Sequence, residues 1–297
     1  MRYVPVQRSL QQHSQSRPKK AKIVKFTIAG ITVVAISLIT ASIINSSHDS
    51  AQAKKATKPA SLSANTIATM RTAIENEIVH NKTTEISVTI VDLVSNDTYH
   101  YGSNGTYLGA SVNKLVTATL YLHLVDQNKA SLYTTIDGQK ASPLLTKMIE
   151  NSDNAAWVSL NHYLTASALN SWAAQNNWQS YNYDTNSFSS SDAAKLLASL
   201  YSGKLLSTTS KDILLGHMKH ANETNLIVSN VPKENTVYHK AGWLNDHVHD
   251  AAIIDNGVRP YVLVIFTEAP DLYQSETVDS IFQVITNASL AAFSNNL

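Results

Sequence analysis

The sequence predicts an α+β fold. An antiparallel sheet is flanked by the terminal helices, an all-helical lobe is inserted between the strands, and an active-site cleft lies between the two parts. Three observations carry that prediction. Strand-like runs sit at both ends of residues 63–297, and helical spacing fills the middle. Asn256-Gly257 separates the last two strand runs and favours a tight hairpin. The first and last segments of the region have helical character, which places helices beside the sheet.

The elements follow in chain order. Arg2, Arg8, Arg17, Lys19, Lys20, Lys22 and Lys25 make residues 1–25 a basic leader. Residues 26–44 carry no charge and match the length a bilayer core requires. Basic before apolar predicts a cytoplasmic N-terminus and an exported remainder. Ala51-Gln52-Ala53 suits signal cleavage, which would give a secreted protein, but the apolar run is long for a cleaved signal. The expected location is therefore the cell membrane, single-pass with the folded domain outside. Residues 45–62 lack apolar periodicity, are rich in Ser, Ala and Lys, and read as a flexible linker.

Within 63–297, Ile67, Met70, Ile74 and Ile78 repeat at helical spacing. Residues 85–104 read as two strands joined at Ser95-Asn96-Asp97. A helix is expected from Ser111 to Gln127. Another should start with Ser142 as its N-cap and Pro143 in the first helical position, running to Asn151. Helices are also expected over 154–164, over 189–203 with Gly203 as its stop, and over 209–218. Residues 235–243, 249–255 and 260–269 read as strands, and 275–293 as the closing helix.

Composition excludes more than it selects. The net charge of +1 gives no case for nucleic acid or an acidic partner. With no cysteine, disulfides and thiolate metal sites are ruled out. A monomer is the expected state.

Three short motifs carry chemistry. In Ser111-Val112-Asn113-Lys114, residues three apart share a helix face, so the amine of Lys114 can reach the hydroxyl of Ser111. A serine needs a base to become nucleophilic, and burial makes a lysine a better one by disfavouring its charged form. Alone, Lys114 is equally explained as a snorkelling side chain. In Ser152-Asp153-Asn154, Ser152 is a candidate proton relay and Asn154 a ligand for a substrate amide, while an Asx-type helix cap explains the tripeptide as well. In Lys240-Ala241-Gly242, a small-residue strand lets a substrate lie along the sheet edge, with Lys240 facing its carboxylate. The N–H groups of Ser111 and Trp243 are candidate oxyanion donors. An ordinary strand ending in a bulge glycine is the competing reading.

Taken jointly, in this order and on these elements, the motifs resemble those of the serine β-lactamase and penicillin-binding protein superfamily. The likeness is greatest to its class A β-lactamase-like branch and covers roughly residues 63–297. The resemblance implies acyl transfer by a serine hydrolase. Ser111 would attack a β-lactam or a peptidoglycan stem peptide, Lys114 would act as base, and Ser152 would assist. Asn154, Lys240, Gly242 and Trp243 would bind substrate. It implies no metal and no organic cofactor.

Two positions depart from the family pattern. Ala241 stands where a hydroxyl residue is usual, which removes about one charged hydrogen bond to the substrate carboxylate. Class A enzymes also carry a deacylating glutamate after the helical region. Residues 176–192 hold no glutamate, and Asp184 is the only acid there before Ser187. Asp184 is the candidate substitute, on a shorter side chain and a shorter loop. Three functions stay open on the sequence: a β-lactamase, a D-alanyl-D-alanine peptidase, and a penicillin-binding or sensor domain without turnover. His247 and His249 raise a zinc site with Asp250 or His239 as a third ligand, but a serine mechanism needs no metal and an exposed strand end is the simpler reading.

Overall fold

The structure is a computed structural model. It describes residues 60–222, 226–244, 246–270, 272 and 276–294. The basic leader, the apolar span and nearly all of the linker lie outside the described residues. Among the described residues no helix is long and apolar enough to cross a membrane.

Helix α1 (Ala64–His80) starts where the Ser63 hydroxyl accepts from Thr66 N at 3.1 Å. Strands β1 (Glu85–Asp92) and β2 (Thr98–Gly102) form a hairpin. The short β3 (Tyr107–Leu108) leads into a 3-10 turn (Ala110–Asn113) and then α2 (Lys114–Asp126). A small hairpin of β4 (Thr135–Ile136) and β5 (Gln139–Lys140) precedes α3 (Ala141–Glu150), α4 (Asn154–Leu164) and α5 (Ala166–Gln175). Strand β6 (Ser187–Phe188) pairs with β3, and α6 (Ser190–Tyr201) and α7 (Thr208–Lys219) complete the helical lobe. Strands β7 (Thr236–Leu244), β8 (His247–Asp255) and β9 (Tyr261–Glu268) and helix α8 (Glu276–Ser294) close the chain.

The main sheet has the order β2-β1-β9-β8-β7, antiparallel throughout. The last strand therefore lies beside the first, and the helical lobe is an insertion between β2 and β7. Side chains alternate across β9: Val262, Val264 and Phe266 join the core shared with the helical lobe, whereas Tyr261, Leu263 and Ile265 join the core under α1 and α8. Both faces are covered, which is why residues 261–266 are apolar without alternation. Helix α2 is buried from Lys114 to Leu122 and runs through the centre of the lobe.

The expected α+β arrangement is the one observed, with local differences. The helix expected from Ser111 starts one turn later as regular α-helix, because Ala110 takes a positive φ of 48° and the chain enters through a 3-10 turn. Helix α3 is capped at Lys140, not Ser142. The β4–β5 hairpin, turning at Asp137 and Gly138, delivers the chain early, and Ala141 N donates to Thr134 O. Pro143 still lies in the first turn, where its missing N–H costs nothing. Helix α5 was not expected from residues 166–175. Its start is a Thr165 cap held at φ 73°, a conformation that residue type rarely signals.

Candidate active site

Ser111 sits on the 3-10 turn that packs against β7. In such a turn residues i and i+3 eclipse, so Ser111 and Lys114 face each other. Lys114 Nζ lies 2.6 Å from Ser111 Oγ and donates to Asn154 Oδ1 at 2.8 Å. The same Nζ is 5.0 Å from the Trp157 ring centroid. Lys114 is fully buried, so its stem is not reaching for water. The snorkelling explanation therefore fails for this lysine.

The partners of Lys114 are themselves fixed. Asp153 caps α4 by accepting from Ala156 N at 2.7 Å, which sets Asn154 at the first helical position. Asp153 is the helix cap, and Asn154 stands beside the Lys114 amine. Trp157 Nε1 donates to Thr117 Oγ1 at 2.9 Å, and Thr117 donates to Asn161 Oδ1, which locks the indole. Ser152 takes φ 56°, a strained left-handed conformation, and its buried Oγ has no hydrogen-bond partner among the described residues.

Strand β7 forms the opposite wall. Lys240 is fully buried and donates to Ala241 O at 2.9 Å. Gly242 packs closely on the nucleophile segment: a Cβ there would lie 2.7 Å from Ser111 N and 3.0 Å from Val112 N. Only a residue without a side chain fits. Trp243 follows on the half-buried end of the strand. Ala241 faces the other side of the sheet, in the core under α1 and α8.

Asp184 is exposed on the 176–192 loop, where Asn170 Nδ2 donates to its carboxylate at 3.5 Å. The loop residue tied to the nucleophile segment is Asn186. Its carbonyl accepts from Gly109 N at 2.7 Å, and its side chain accepts from Asn113 Nδ2 at 2.6 Å. His249 and Asp250 alternate across β8, so the zinc arrangement does not form. His239 meets Asp250 at 3.1 Å on the face away from Ser111, while His249 lies on the nucleophile side.

The structure brings Ser111, Lys114 and Asn154 together, and beside them stand Trp157, Asn113 and Asn186, to which the sequence alone assigns no role, and His249, which the sequence offers only as a zinc ligand. Trp157 stands three residues after Asn154, a spacing that returns to the same helix face and was available as a signal. Asn186 gave none, because a two-residue β6 is too short to show a pattern.

A serine hydroxyl against a buried amine, on a turn packed against the edge strand β7, is the pairing that a nucleophilic serine needs. The chain belongs to the beta-lactamase enzyme family, whose model matches residues 69–293. Solved structures with the same fold include a point mutant of PBP-A described as an acyl-enzyme complex with penicillin G. It is 21% identical, with TM-score 0.68, over 75% of this chain and 97% of that one. The β-lactamase from Sphaerobacter thermophilus is 20% identical, with TM-score 0.67, over 75% and 96%. An ancestral class A β-lactamase is 18% identical, with TM-score 0.69, over 74% and 100%. No curated protein matches the sequence.

Proposed function

We propose that the domain is an exported acyl-transfer enzyme that takes β-lactams at Ser111 and releases the acyl group slowly. The observation that carries the reading is the 2.6 Å approach of buried Lys114 Nζ to Ser111 Oγ. With the amine neutral, the Ser111 O–H donates to the Nζ lone pair. Oγ then attacks the lactam carbonyl, the proton passes to Nζ, and the C–N bond breaks as that proton is relayed from Nζ through the Ser152 hydroxyl to the departing nitrogen, leaving Nζ neutral and Ser152 protonated. The N–H groups of Ser111 and Trp243 serve the developing oxyanion, and Lys240 faces the substrate carboxylate.

Slow release follows from the loop. Asp184 is turned to Asn170 and solvent, and the residue held against the nucleophile segment is an asparagine, which cannot take a proton from water. The decisive experiment incubates residues 63–297 with a penicillin and a chromogenic cephalosporin and follows intact mass together with turnover. A stoichiometric adduct that persists, and is lost in Ser111→Ala, is the expected result. Many turnovers would make it an efficient β-lactamase instead. Release of D-alanine from a stem peptide without a β-lactam adduct would make it a peptidase. Export of the domain on an anchor is tested by protease accessibility on intact cells, where 63–297 should be digested.

A further inference from the structure

The structure assigns a positioning role to His249, resting on the acyl-enzyme reading above. In the β7–β8 register His249 lies directly opposite Gly242. Gly242 is where the sheet touches Ser111 N, so one rung of the sheet meets the nucleophile segment twice. The second contact is the imidazole. His249 Nε2 meets Leu108 O at 3.0 Å, three residues before Ser111.

The donors fix the tautomer. Thr267 N donates to His249 Nδ1 at 3.2 Å, so Nδ1 carries no proton. The ring proton is therefore on Nε2, and it is donated to Leu108 O. The ring cannot swing away, because it stacks on Phe266 with centroids 4.1 Å apart and meets the edge of Tyr107 at 5.8 Å. It is fully buried. Leu108 is the last residue of β3, and between it and Ser111 stand only Gly109 and Ala110, the latter strained at φ 48°. A strained residue persists only where its surroundings hold both ends. The Gly242 contact holds the Ser111 end, and the His249 bond holds the Leu108 end. This bond sets the placement of Ser111 Oγ and Ser111 N for attack.

The test separates binding from chemistry. Acylation by benzylpenicillin is followed by stopped-flow or quenched mass spectrometry, giving the dissociation constant of the first complex and the acylation rate constant. Glutamine places an N–H donor near the position of Nε2, while asparagine reaches only to the position of Nδ1. His249→Gln should keep the acylation rate constant within a fewfold of the original. His249→Asn should lower it about tenfold to a hundredfold, with the dissociation constant nearly unchanged. Equal rates in the two variants at equal thermal stability would overturn the inference. In the unaltered protein, nitrogen NMR of the ring should show an Nε2–H tautomer whose proton exchanges slowly; an Nδ1–H tautomer would also overturn it, whether or not the variants fold. If the unaltered protein forms no adduct, the functional reading fails, and that outcome is distinct from one in which it acylates and His249→Asn acylates equally fast.

Discussion

Gly242 and Ser111 touch through their backbones: a Cβ placed on Gly242 would lie 2.7 Å from the amide nitrogen of Ser111. Backbone cannot yield there as a flexible side-chain tip would. Gly242→Ala must push the 3-10 turn off β7 or bend the strand. Overpacking of this kind costs about 1–3 kcal/mol. Ser111 N is also an oxyanion donor in the proposed reaction, so acylation should fall by about 10²-fold or more, the cost typical of losing one such donor. Adduct formation rates and thermal unfolding of Gly242→Ala measure both. An unchanged acylation rate would remove Gly242 from the site.

The Lys114–Asn154 contact predicts a distinctive variant. Asn154→Asp is close to isosteric, but it sets a carboxylate against Lys114 Nζ, where a neutral carbonyl now accepts at 2.8 Å. A nearby negative charge favours the ammonium over the amine. The proposed base needs the amine, so acylation near neutral pH should fall by at least about tenfold. It should recover as pH rises, because the added carboxylate moves the loss of the Lys114 proton upward. A rate profile from neutral to alkaline pH checks this. A flat profile at the original rate would remove Lys114 as the base.

These two cases separate what sequence spacing reveals from what it hides. Ser111 and Lys114 were legible because a spacing of three returns to the same side in an α-helix and in a 3-10 turn alike, whereas Asn154, 40 residues further on, was legible only through the joint order of the motifs and the family they resemble. The sheet was legible because its strands are long and its hairpin turn is marked by Asn256-Gly257. The grip on the nucleophile segment was not. It depends on a glycine chosen for missing atoms, on a histidine rung opposite it, and on Asn186, which closes a contact across 73 residues of sequence. Ala110 gave no warning either, since alanine has no local preference for φ 48°.

Asn186 gives a stability prediction. Asn113 Oδ1 is already buried without a partner among the described residues, and its Nδ2 depends on Asn186 Oδ1. Asn186→Ala leaves that donor unpaired as well and puts alanine at φ 50°. An unsatisfied buried group costs about 1–3 kcal/mol. At about 2–4 °C per kcal/mol for a domain of this size, Tm should drop by several degrees. Asn186→Asp keeps the acceptor and should recover much of the loss. Calorimetry of the pair distinguishes the hydrogen bond from general loop packing.

His249 links stability to pH. Burial pushes its imidazole down from 6.5 to about 3. The bond to the Leu108 carbonyl opposes that shift, and the nearby His247 ring adds to it. In the unfolded chain the ring protonates near 6.5, whereas in the folded chain it does so only near 3, so between those values the unfolded state binds the extra proton. Stability from this group is therefore complete above pH 6.5 and is lost as pH falls through the window to about 3, by up to roughly 1.4 kcal/mol per pH unit. His249→Gln has no such proton to take up. Its unfolding free energy, measured by denaturant titration between pH 7 and 4, should fall less steeply than that of the unaltered protein. Parallel slopes would show that His249 is accessible to protons in the fold.

Ser152 supplies the case in which stability and activity should part. Its Oγ is buried with no partner among the described residues, and its backbone is held at φ 56°. Removing a hydroxyl that makes no hydrogen bond costs the folded state little and relieves a desolvation penalty. Ser152→Ala should therefore be as stable as the original or slightly more so. Ser152→Gly, which also tolerates the positive φ, should gain further, up to roughly 1 kcal/mol of released strain. Both should acylate more slowly, by about 10²-fold or more, because the departing lactam nitrogen loses its proton donor. A structural serine predicts the opposite pairing, with lower Tm and unchanged acylation. Measuring Tm and the acylation rate constant on the same two variants decides between a hydroxyl kept for substrate and one kept for the fold.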